Sequence, residues 1–400
     1  MTRLLGFTYL LFVNFVLSVT VSSASEISVP RHWPTIQEAI NAAHTGDEIV
    51  VQPGVYPENI DFLGKAVTVR SADPLSPAIV DSTIIDGGGV DTVVKFTHGE
   101  KAGSVIAGFT ITNGMAASGG GVKCIGSSPT IANNHITSNA ATYRGGGIYT
   151  RALDSPDGFL YSEPLVFGNL ITCNKALVYW GGAIYSDLSK PVITNNVILS
   201  NEAVDGGGLC LWSCPSAIVA SNTLTENTAT ISGAGIFCYS SYGTITDNMI
   251  VHNIGHGIYS TSMVSVLRNT ILQNTLAGVQ CQFRESVENN QILDSRHAGI
   301  VSESGHGSSI IGNLIRGRDS GIICRETSAL IANNTLTWLT VGTKSTVMMD
   351  NCVLAGFDPS HKYRIWLESD YESMPARLIV RNSNIEGKAD QVYVGRNASI

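Results

Sequence analysis

The sequence has 400 residues, of which 41 are glycine, 14% are charged and 44% are hydrophobic. Soluble domains usually carry about 25% charged residues, so a fold built from long charged helices is excluded. The hydrophobic content excludes a disordered chain, and the net charge of −8 disfavours general binding to nucleic acid.

The first 24 residues have the order of a secretory signal peptide. Arg3 precedes an apolar run over residues 4–21, and Ser22, Ser23 and Ala24 form a small-residue cleavage region. We expect cleavage near Ala24, with an N-terminal membrane anchor as the alternative reading. No later segment offers about 18 consecutive apolar residues. We therefore expect a secreted or cell-surface protein, periplasmic if the source is a Gram-negative bacterium.

A repeat of 21 to 35 residues fills most of the chain. A glycine-led segment recurs at 119–122, 145–149, 181–185, 206–209 and 233–236, and in weaker form at 257–258, 278–279, 299–300 and 321–322. An Asn-x-(Ile/Leu) motif alternates with it, at Asn134, Asn169, Asn196, Asn222, Asn248, Asn269, Asn290, Asn313 and Asn334. Each period has room for short β-branched strands but not for a ten-residue helix. Such units must stack to bury their apolar faces, which predicts a parallel β-solenoid.

The repeated Gly-Gly-Gly-Ile and Asn-Asn-x-Ile elements resemble those of the pectin-lyase-like superfamily over residues 27–400. The resemblance implies an all-β fold, a right-handed parallel β-helix. It implies no single activity, because that superfamily includes lyases, hydrolases, esterases, epimerases, adhesins and non-catalytic proteins. We further expect the repeated asparagine to adopt the left-handed backbone conformation and to bond to its counterpart one coil away.

The region before the repeats predicts a cap for the open end of the solenoid. Thr35 and Glu38 form a capping-box pattern, and Ile36, Ala39 and Ile40 share one helical face. We expect this short N-terminal capping helix to cover the core. The predicted organisation is a signal peptide at 1–24, the capping helix and first coils at 25–83, and β-helix repeats at 84–400 that continue beyond residue 400.

Side chains alternate between the two faces of a strand, so the repeat also predicts which residues are buried. The aliphatic residue after the last small residue of each glycine-led segment should face inward, with a ladder of small residues two positions later. Cys238, Cys281 and Cys324 occupy alternate coils of that ladder, about 9.6 Å apart. A disulfide needs Cα atoms within about 7 Å, so we expect free buried thiols. A local disulfide between Cys210 and Cys214 is the alternative that the spacing allows.

The opposite face of the same strands should meet solvent and carries aromatic and charged side chains. Rings spaced at the coil repeat, with polar groups beside them, suit an extended carbohydrate. The candidate binding residues are Lys123, Tyr149, Trp180, Tyr185, Asp205, Trp212 and Tyr239. An insertion over residues 152–163 places Asp154 and Asp157 at the same edge. The alternative reading is an aromatic ladder that only stiffens the sheet.

Arg151 and Asp187 are the candidate catalytic pair. A uronic-acid lyase needs a base for the C5 proton and a cation to neutralise the neighbouring carboxylate, and these residues fall on adjacent coils. A surface ion pair explains the same spacing. Catalysis therefore stays open, and any enzyme of this kind would be a polysaccharide lyase or a related carbohydrate-active enzyme.

Other motifs are incomplete. The segment 305–307 resembles the histidine motif of polygalacturonases, but the acids of an inverting hydrolase are missing, so we expect His306 to be a turn residue. The segment 356–361 resembles a motif of mannuronan epimerases, with an extra serine and no second aspartate. Copper-delivering periplasmic β-helix proteins are another relative, but the nine histidines are scattered, and we predict no metal site. The sequence identifies no cofactor.

Two functional hypotheses follow. The first is an exported monomeric protein that recognises a polysaccharide or cell-surface glycan on the outer face of its glycine-led sheet, with lyase-type processing as an extension. The alternative is a non-catalytic cell-surface or adhesive scaffold. Neither involves nucleic acid or a membrane span after signal cleavage.

Overall fold

The computed structural model describes residues 25–304, 306–317, 321–355, 364–367, 375–385, 392–395 and 398–400. Over these residues the chain is a right-handed parallel β-helix, which confirms the predicted fold class. The predicted signal peptide at 1–24, Gly305 and the segment 356–361 lie outside the described residues.

Each coil contributes strands to three long parallel sheets. The glycine-led sheet contains Ile60–Asp61, Val94–Phe96, Val122–Ile125, Ile148–Arg151, Ile184–Asp187, Leu209–Trp212, Val279–Cys281, Ile300–Glu303, Ile322–Arg325, Leu339–Val341, Ile365–Leu367 and Val392–Val394. The second sheet contains Glu26–Val29, Glu48–Val51, Thr68–Ser71, Val105–Ala107, Thr130–Ala132, Leu165–Phe167, Val192–Thr194, Ala217–Ala220, Ser286–Glu288, His306–Ile311, Ser328–Ala332, Thr346–Asp350, Ala376–Arg381 and Ala398–Ser399. Two long strands, Ile236–Thr246 and Ile258–Leu267, run through both sheets.

The third sheet follows the second sheet in each coil. Its strands are Gly54–Tyr56, Thr83–Asp86, Thr110–Thr112, His135–Thr137, Leu170–Thr172, Val197–Leu199, Thr223–Thr225, Met249–Val251, Thr270–Leu272, Gln291–Leu293, Leu314–Arg316, Thr335–Leu336, Val353–Leu354 and Asn384–Ile385. In five consecutive coils a shorter side sheet connects the third sheet to the next glycine-led strand. Its strands are Met115–Ser118, Ala140–Arg144, Lys175–Ala176, Glu202–Asp205 and Thr228–Ser232.

The predicted inward columns are confirmed by strand register. Ile148 pairs with Ile184, and Thr150 pairs with Ser186, one coil away. The aliphatic column and the small-residue ladder are both buried from Val122 and Cys124 to Ile322 and Cys324. Stacked coils therefore share one continuous hydrophobic core.

The predicted capping helix spans Ile36–Ala42. The Thr35 hydroxyl accepts a hydrogen bond from the Glu38 N–H at 3.1 Å, and Ile36, Ala39 and Ile40 are fully buried against the first coils. The Lys65 ammonium donates to three carbonyls at the other end of the helix, where cations are favoured. A second helix, Pro77–Ser82, was not predicted.

The prediction that the repeated asparagine bonds to its counterpart one coil away is confirmed, but the prediction that it adopts the left-handed backbone conformation is wrong. Each amide from Asn134 to Asn313 donates to the side-chain oxygen of its counterpart one coil on, as Asn196 does to Asn222 at 2.9 Å. The left-handed residue is the one before it, such as Asn195 with φ of 55°, because the preceding position makes the turn. The ladder asparagine instead donates hydrogen bonds to backbone carbonyls of its own turn and of the preceding coil, as Asn196 does to Thr194 and Val166.

A second asparagine ladder was missed. Its amides are also linked from coil to coil, and it consists of Asn139, Asn174, Asn201, Asn227, Asn253 and Asn274. It lies five residues after the first ladder in each coil, at the exit of the third sheet. Two buried amide columns therefore brace the turns on either side of that sheet.

The eight cysteines are free, so Cys210 and Cys214 do not form a disulfide. Cys238, Cys281 and Cys324 are buried on alternate coils, as predicted. Burial raises the pKa of the Cys324 thiol to about 12. These thiols are packing groups of the core.

Candidate functional site

The outer surface of the glycine-led sheet consists of a central buried column with a column of side chains on each side of it. We call this surface the groove, and its floor is the first outward column, which includes Lys123, Tyr149 and Tyr185. The sequence analysis placed Tyr149 and Tyr185 in solvent, and this is wrong: their exposed fractions are 5% and 1%. They pack outside the main core, in a separate cluster with Cys210 and Phe237. The two tyrosine rings stack at 5.7 Å and 11°. The two rings are buried because side chains of the neighbouring columns flank and cover them on both sides; we call these columns the walls.

The first wall is the end of the side sheet. Arg144, Trp180 and Asp205 lie in register on three consecutive coils. The Trp180 ring stacks 6.1 Å from the Tyr185 ring and covers it. The indole N–H of Trp180 donates to the Asp205 carboxylate at 3.2 Å. Burial raises the pKa of Asp205.

The repeated glycines allow a sharp backbone turn between the first wall and the floor. Gly181 has a φ of +71°, which favours glycine, and a Cβ on Gly182 would collide with the carbonyl oxygen of Gly207 in the next coil. The glycine motif is therefore required by the sharp, close-packed junction between the side sheet and the glycine-led sheet.

The second wall is the second outward column of the glycine-led strands. Arg151 Nε lies 3.6 Å from Asp187 Oδ2, and Arg151 Nη2 lies 3.7 Å from Asp154 Oδ2. Asp154 belongs to a hairpin of Leu153–Ser155 and Gly158–Leu160, which is the predicted insertion. Burial raises the pKa of Asp187, although Arg151 opposes the shift. The pair is a loose ion pair with a buried acid.

Rings from both walls meet above the floor. Trp212, on the second wall, stacks 4.3 Å from Trp180 on the first and 4.0 Å from Tyr239 on the next coil. Tyr239 is 42% exposed. This bridge separates a segment of the groove with several cations from a segment with aromatic and hydroxyl side chains.

The cationic segment contains Lys95, Lys123, Arg144 and Arg151. Lys95 and Lys123 pair in register, and Lys95 Nζ lies 2.6 Å from Asp91 Oδ2. Lys123 is half-buried, and burial lowers its pKa. Among the described residues, no carboxylate lies within ion-pairing distance of Lys123.

Arg144 is the second cation of this segment without an acid. Its guanidinium carbon lies 4.9 Å from the centre of the Trp180 ring and 5.6 Å from that of Tyr185. Its Nε is buried without a hydrogen-bond partner. Within the described ranges no carboxylate forms an ion pair with it. Cation–π contacts hold the side chain, and the Asp187 carboxylate acts on its charge only at longer range.

The structure thus brings the predicted residues onto one surface, although Tyr149 and Tyr185 are buried rather than exposed. Tyr149 and Tyr185 form a buried floor, whereas Trp180, Trp212 and Asp205 form walls. Lys95 was missed because its strand lacks the leading glycines. The pattern Val94-Lys95-Phe96 matches Val122-Lys123-Cys124, and this signal was sufficient to find it.

Comparison with known proteins gives one family match. Residues 97–285 match the model of a family described as periplasmic copper-binding protein (NosD). No curated protein matches the sequence. The match to a periplasmic family confirms the predicted location outside the cytoplasm. Among the described residues, no helix has the length and apolarity needed to cross a bilayer.

Several solved structures are similar in fold. The A-module of the mannuronan C-5 epimerase AlgE6 of Azotobacter vinelandii is 13% identical with a TM-score of 0.48, over 88% of this chain and 93% of that one. A periplasmic alginate epimerase, AlgG, is 13% identical with a TM-score of 0.47, over 90% and 84%. A mannuronic-acid-specific polysaccharide family 6 lyase from human gut microbiota is 16% identical with a TM-score of 0.39, over 92% and 83%. Likeness at this level carries no information on activity.

Proposed function

We propose that this exported β-helix binds an acidic polysaccharide along the groove of its glycine-led sheet. The observation that carries the proposal is a pair of cations that form no salt bridge among the described residues, Lys123 on the floor and Arg144 on the wall, which Asp91 and Asp187 reach only at longer range. A half-buried charge without a partner costs free energy, so its retention favours a role in binding an anion.

Charge and shape support the same ligand class. The chain as a whole carries a net charge of −8, yet Lys95, Lys123, Arg144 and Arg151 lie together in one segment, where carboxylates pair with Lys95 and Arg151 and leave Lys123 and Arg144 without a salt bridge. Tyr239 continues that segment with a partly exposed ring, on which the apolar face of a sugar ring can pack, and Trp212, stacked between Trp180 and Tyr239, holds that ring in place. An extended, negatively charged sugar polymer satisfies both features.

A binding panel tests the proposal. Polygalacturonate, alginate and hyaluronan are the acidic polymers, and dextran is the neutral one, with affinity measured by calorimetry at low and high salt. We expect an acidic polymer to bind with an affinity that falls with salt, and the Lys123→Ala/Arg144→Ala variant to lose at least tenfold in affinity. Arg268→Ala is the control, because Arg268 is an exposed arginine of another surface that is paired with Asp247.

Two results would contradict the proposal. One is equal binding of dextran and the acidic polymers. The other is the absence of binding to every polymer, which would favour the non-catalytic scaffold.

Lyase-type processing is the second candidate, and the position of Asp187 favours it. A carboxylate whose pKa is raised by burial is a stronger base once ionised, and Arg151 beside it suits a substrate carboxylate. Asp187 would take the C5 proton, the C–H electrons would form the C4–C5 double bond, and the C4–O bond would break. The leaving oxygen would take a proton from solvent.

The lyase candidate has a direct assay. The unsaturated product absorbs in the ultraviolet, so its appearance during incubation with an acidic polymer would support the candidate. Arg151→Ala and Asp187→Asn should each abolish it while Arg268→Ala retains it. Binding without an ultraviolet-absorbing product would limit the protein to recognition.

The residues described do not fit a copper site of the kind that the family name indicates. Their one cluster of potential ligands that includes a histidine is Asp61, His98 and Glu100. Both Glu100 oxygens already accept hydrogen bonds, from the backbone N–H groups of Gly64 and His98 and from a serine hydroxyl. The ladder cysteines Cys124, Cys238, Cys281 and Cys324 face the core on separate coils, with pKa values raised by burial. We therefore derive no function from copper.

A further inference from the structure

A cavity of about 340 Å³ opens where the groove passes from the glycine-led sheet to the second sheet. Its lining residues are Tyr239, Ser240, Ser241, Tyr242, Thr261, Ser262, Met263 and Phe283. The volume is at the lower end of the range of small-molecule sites, about 300–1,000 Å³. It is therefore large enough for a compact ligand rather than for a polymer segment of several units.

A bulge between the two long strands forms the cavity. Tyr239 pairs with Thr261, and Tyr242 pairs with Met263, so two residues of one strand stand opposite one residue of the other. Ser240 takes a left-handed backbone conformation at this point, with φ of 50°. The bulge lies at the boundary between the two sheets, and the ladder resumes beyond it at Tyr242.

The walls of the cavity are exposed rings. Tyr242 and Phe283 are 51% and 47% exposed, and Met263 is 41% exposed. One face of Tyr239 is occupied by Trp212. The Phe283 loop is held in place because its N–H donates to the buried Glu285 carboxylate at 2.9 Å. Large exposed apolar side chains gathered around a cavity mark a ligand site rather than core packing.

None of the eight lining residues carries a charge. The Ser241 and Ser262 hydroxyls are buried and bonded to the backbone. The hydroxyls beside the rings are therefore those of Ser240, Thr261 and the two tyrosines. A ligand for this site has apolar faces and hydroxyl groups but no ionic group. We infer that the cavity binds the ring of an uncharged pyranoside, as a subsite distinct from the cationic segment. The inference rests partly on the proposed function, because Tyr239 belongs to both the groove wall and the cavity.

Saturation-transfer-difference NMR tests the subsite independently of any polymer. The probes are the methyl pyranosides of glucose, galactose and mannose, offered to the full exported chain. We expect saturation transfer to at least one pyranoside, and its loss in Tyr242→Ala and in Phe283→Ala. Phe167→Ala is the matched control, since Phe167 is an exposed ring of the second sheet that does not line the cavity.

The outcomes separate the two proposals. No transfer to any of the three pyranosides, or transfer that both variants retain, overturns the subsite whatever the polymers do. Pyranoside binding without binding of any acidic polymer supports the subsite and overturns the proposed function of the groove. Methyl glucuronide competing equally with its neutral counterpart also overturns the subsite, because the uncharged lining should disfavour a carboxylate.

Discussion

Trp180 and Trp212 stack at 4.3 Å and 17° across the groove, although they come from adjacent coils. Trp180 ends the side-sheet wall and Trp212 ends a glycine-led strand. Both indoles pack against the cluster that contains Tyr185 and Cys210, and they therefore bury the floor of the groove.

Trp212→Ala should weaken both the groove and ligand binding. It removes two stacked pairs, each worth about 0.5–1.5 kcal/mol, so we expect the free energy of unfolding to fall by about 1–3 kcal/mol. Affinity for the acidic polymer should fall at least tenfold. Calorimetry and denaturant unfolding measure the two effects, with the partly exposed Trp33→Ala as the control. Unchanged affinity with reduced stability would assign the indole to folding alone.

The asparagine ladder should be a major source of stability. Asn222→Ala leaves the N–H and amide of Asn196 without their acceptor and leaves the Ile193 carbonyl without its donor. Each buried group left unsatisfied costs about 1–3 kcal/mol, so the loss should exceed about 2 kcal/mol.

The neighbouring asparagine is the matched control. Asn195 is exposed and left-handed, so Asn195→Gly should be close to neutral in urea unfolding. Equal effects of Asn222→Ala and Asn195→Gly would show that turn conformation, rather than the amide ladder, stabilises the coils.

The sequence predicts the coil repeat and the inward columns because both depend on local periodicity. Alternation along a strand determines that Ile148 and Ile184 face the core, and stacking then aligns them. The capping helix is predictable for the same reason, since the Thr35–Glu38 pattern is contained within one turn.

The burial of Tyr149 and Tyr185 is not predictable in this way. It depends on Arg144 and Trp180, whose side sheet has no marked pattern of its own, and on how sharply the glycines bend the chain. The cavity depends on a one-residue bulge between long strands, and the sequence around Ser240 does not mark it. The walls of the groove arise from contacts between coils, which periodicity along one chain does not specify.

Burial should also govern thiol reactivity. Cys173 is exposed, whereas the other seven cysteines are buried. Since the thiolate is the reactive form, burial and raised pKa values make the interior thiols inert. One thiol should react with Ellman's reagent in the native protein and eight in guanidinium chloride. Cys173→Ser should remove the native reaction, and rapid reaction of further thiols would contradict the packed interior.

Glu285 should make stability depend on pH. It is buried beside Ser262 and Phe283, and burial raises its pKa to about 7, from 4.5 for an unperturbed glutamate. The folded state therefore binds this proton more tightly than the unfolded chain does. The contribution to the free energy of unfolding is complete below pH 4.5, falls between pH 4.5 and 7 by an amount on the order of 3 kcal/mol, and stays lost above that range.

Glu285→Gln isolates this effect, because glutamine keeps an acceptor for the Phe283 N–H but does not titrate. Urea unfolding at pH 5 and pH 8 should show a larger loss of stability with rising pH for the parent than for the variant. His256 titrates in the opposite sense, with its pKa lowered to about 4 by burial, and it contributes equally to both proteins. The exposed Glu226→Gln should keep the parental pH dependence. Identical pH dependence in Glu285→Gln and the parent would show that Glu285 remains ionised in the folded protein.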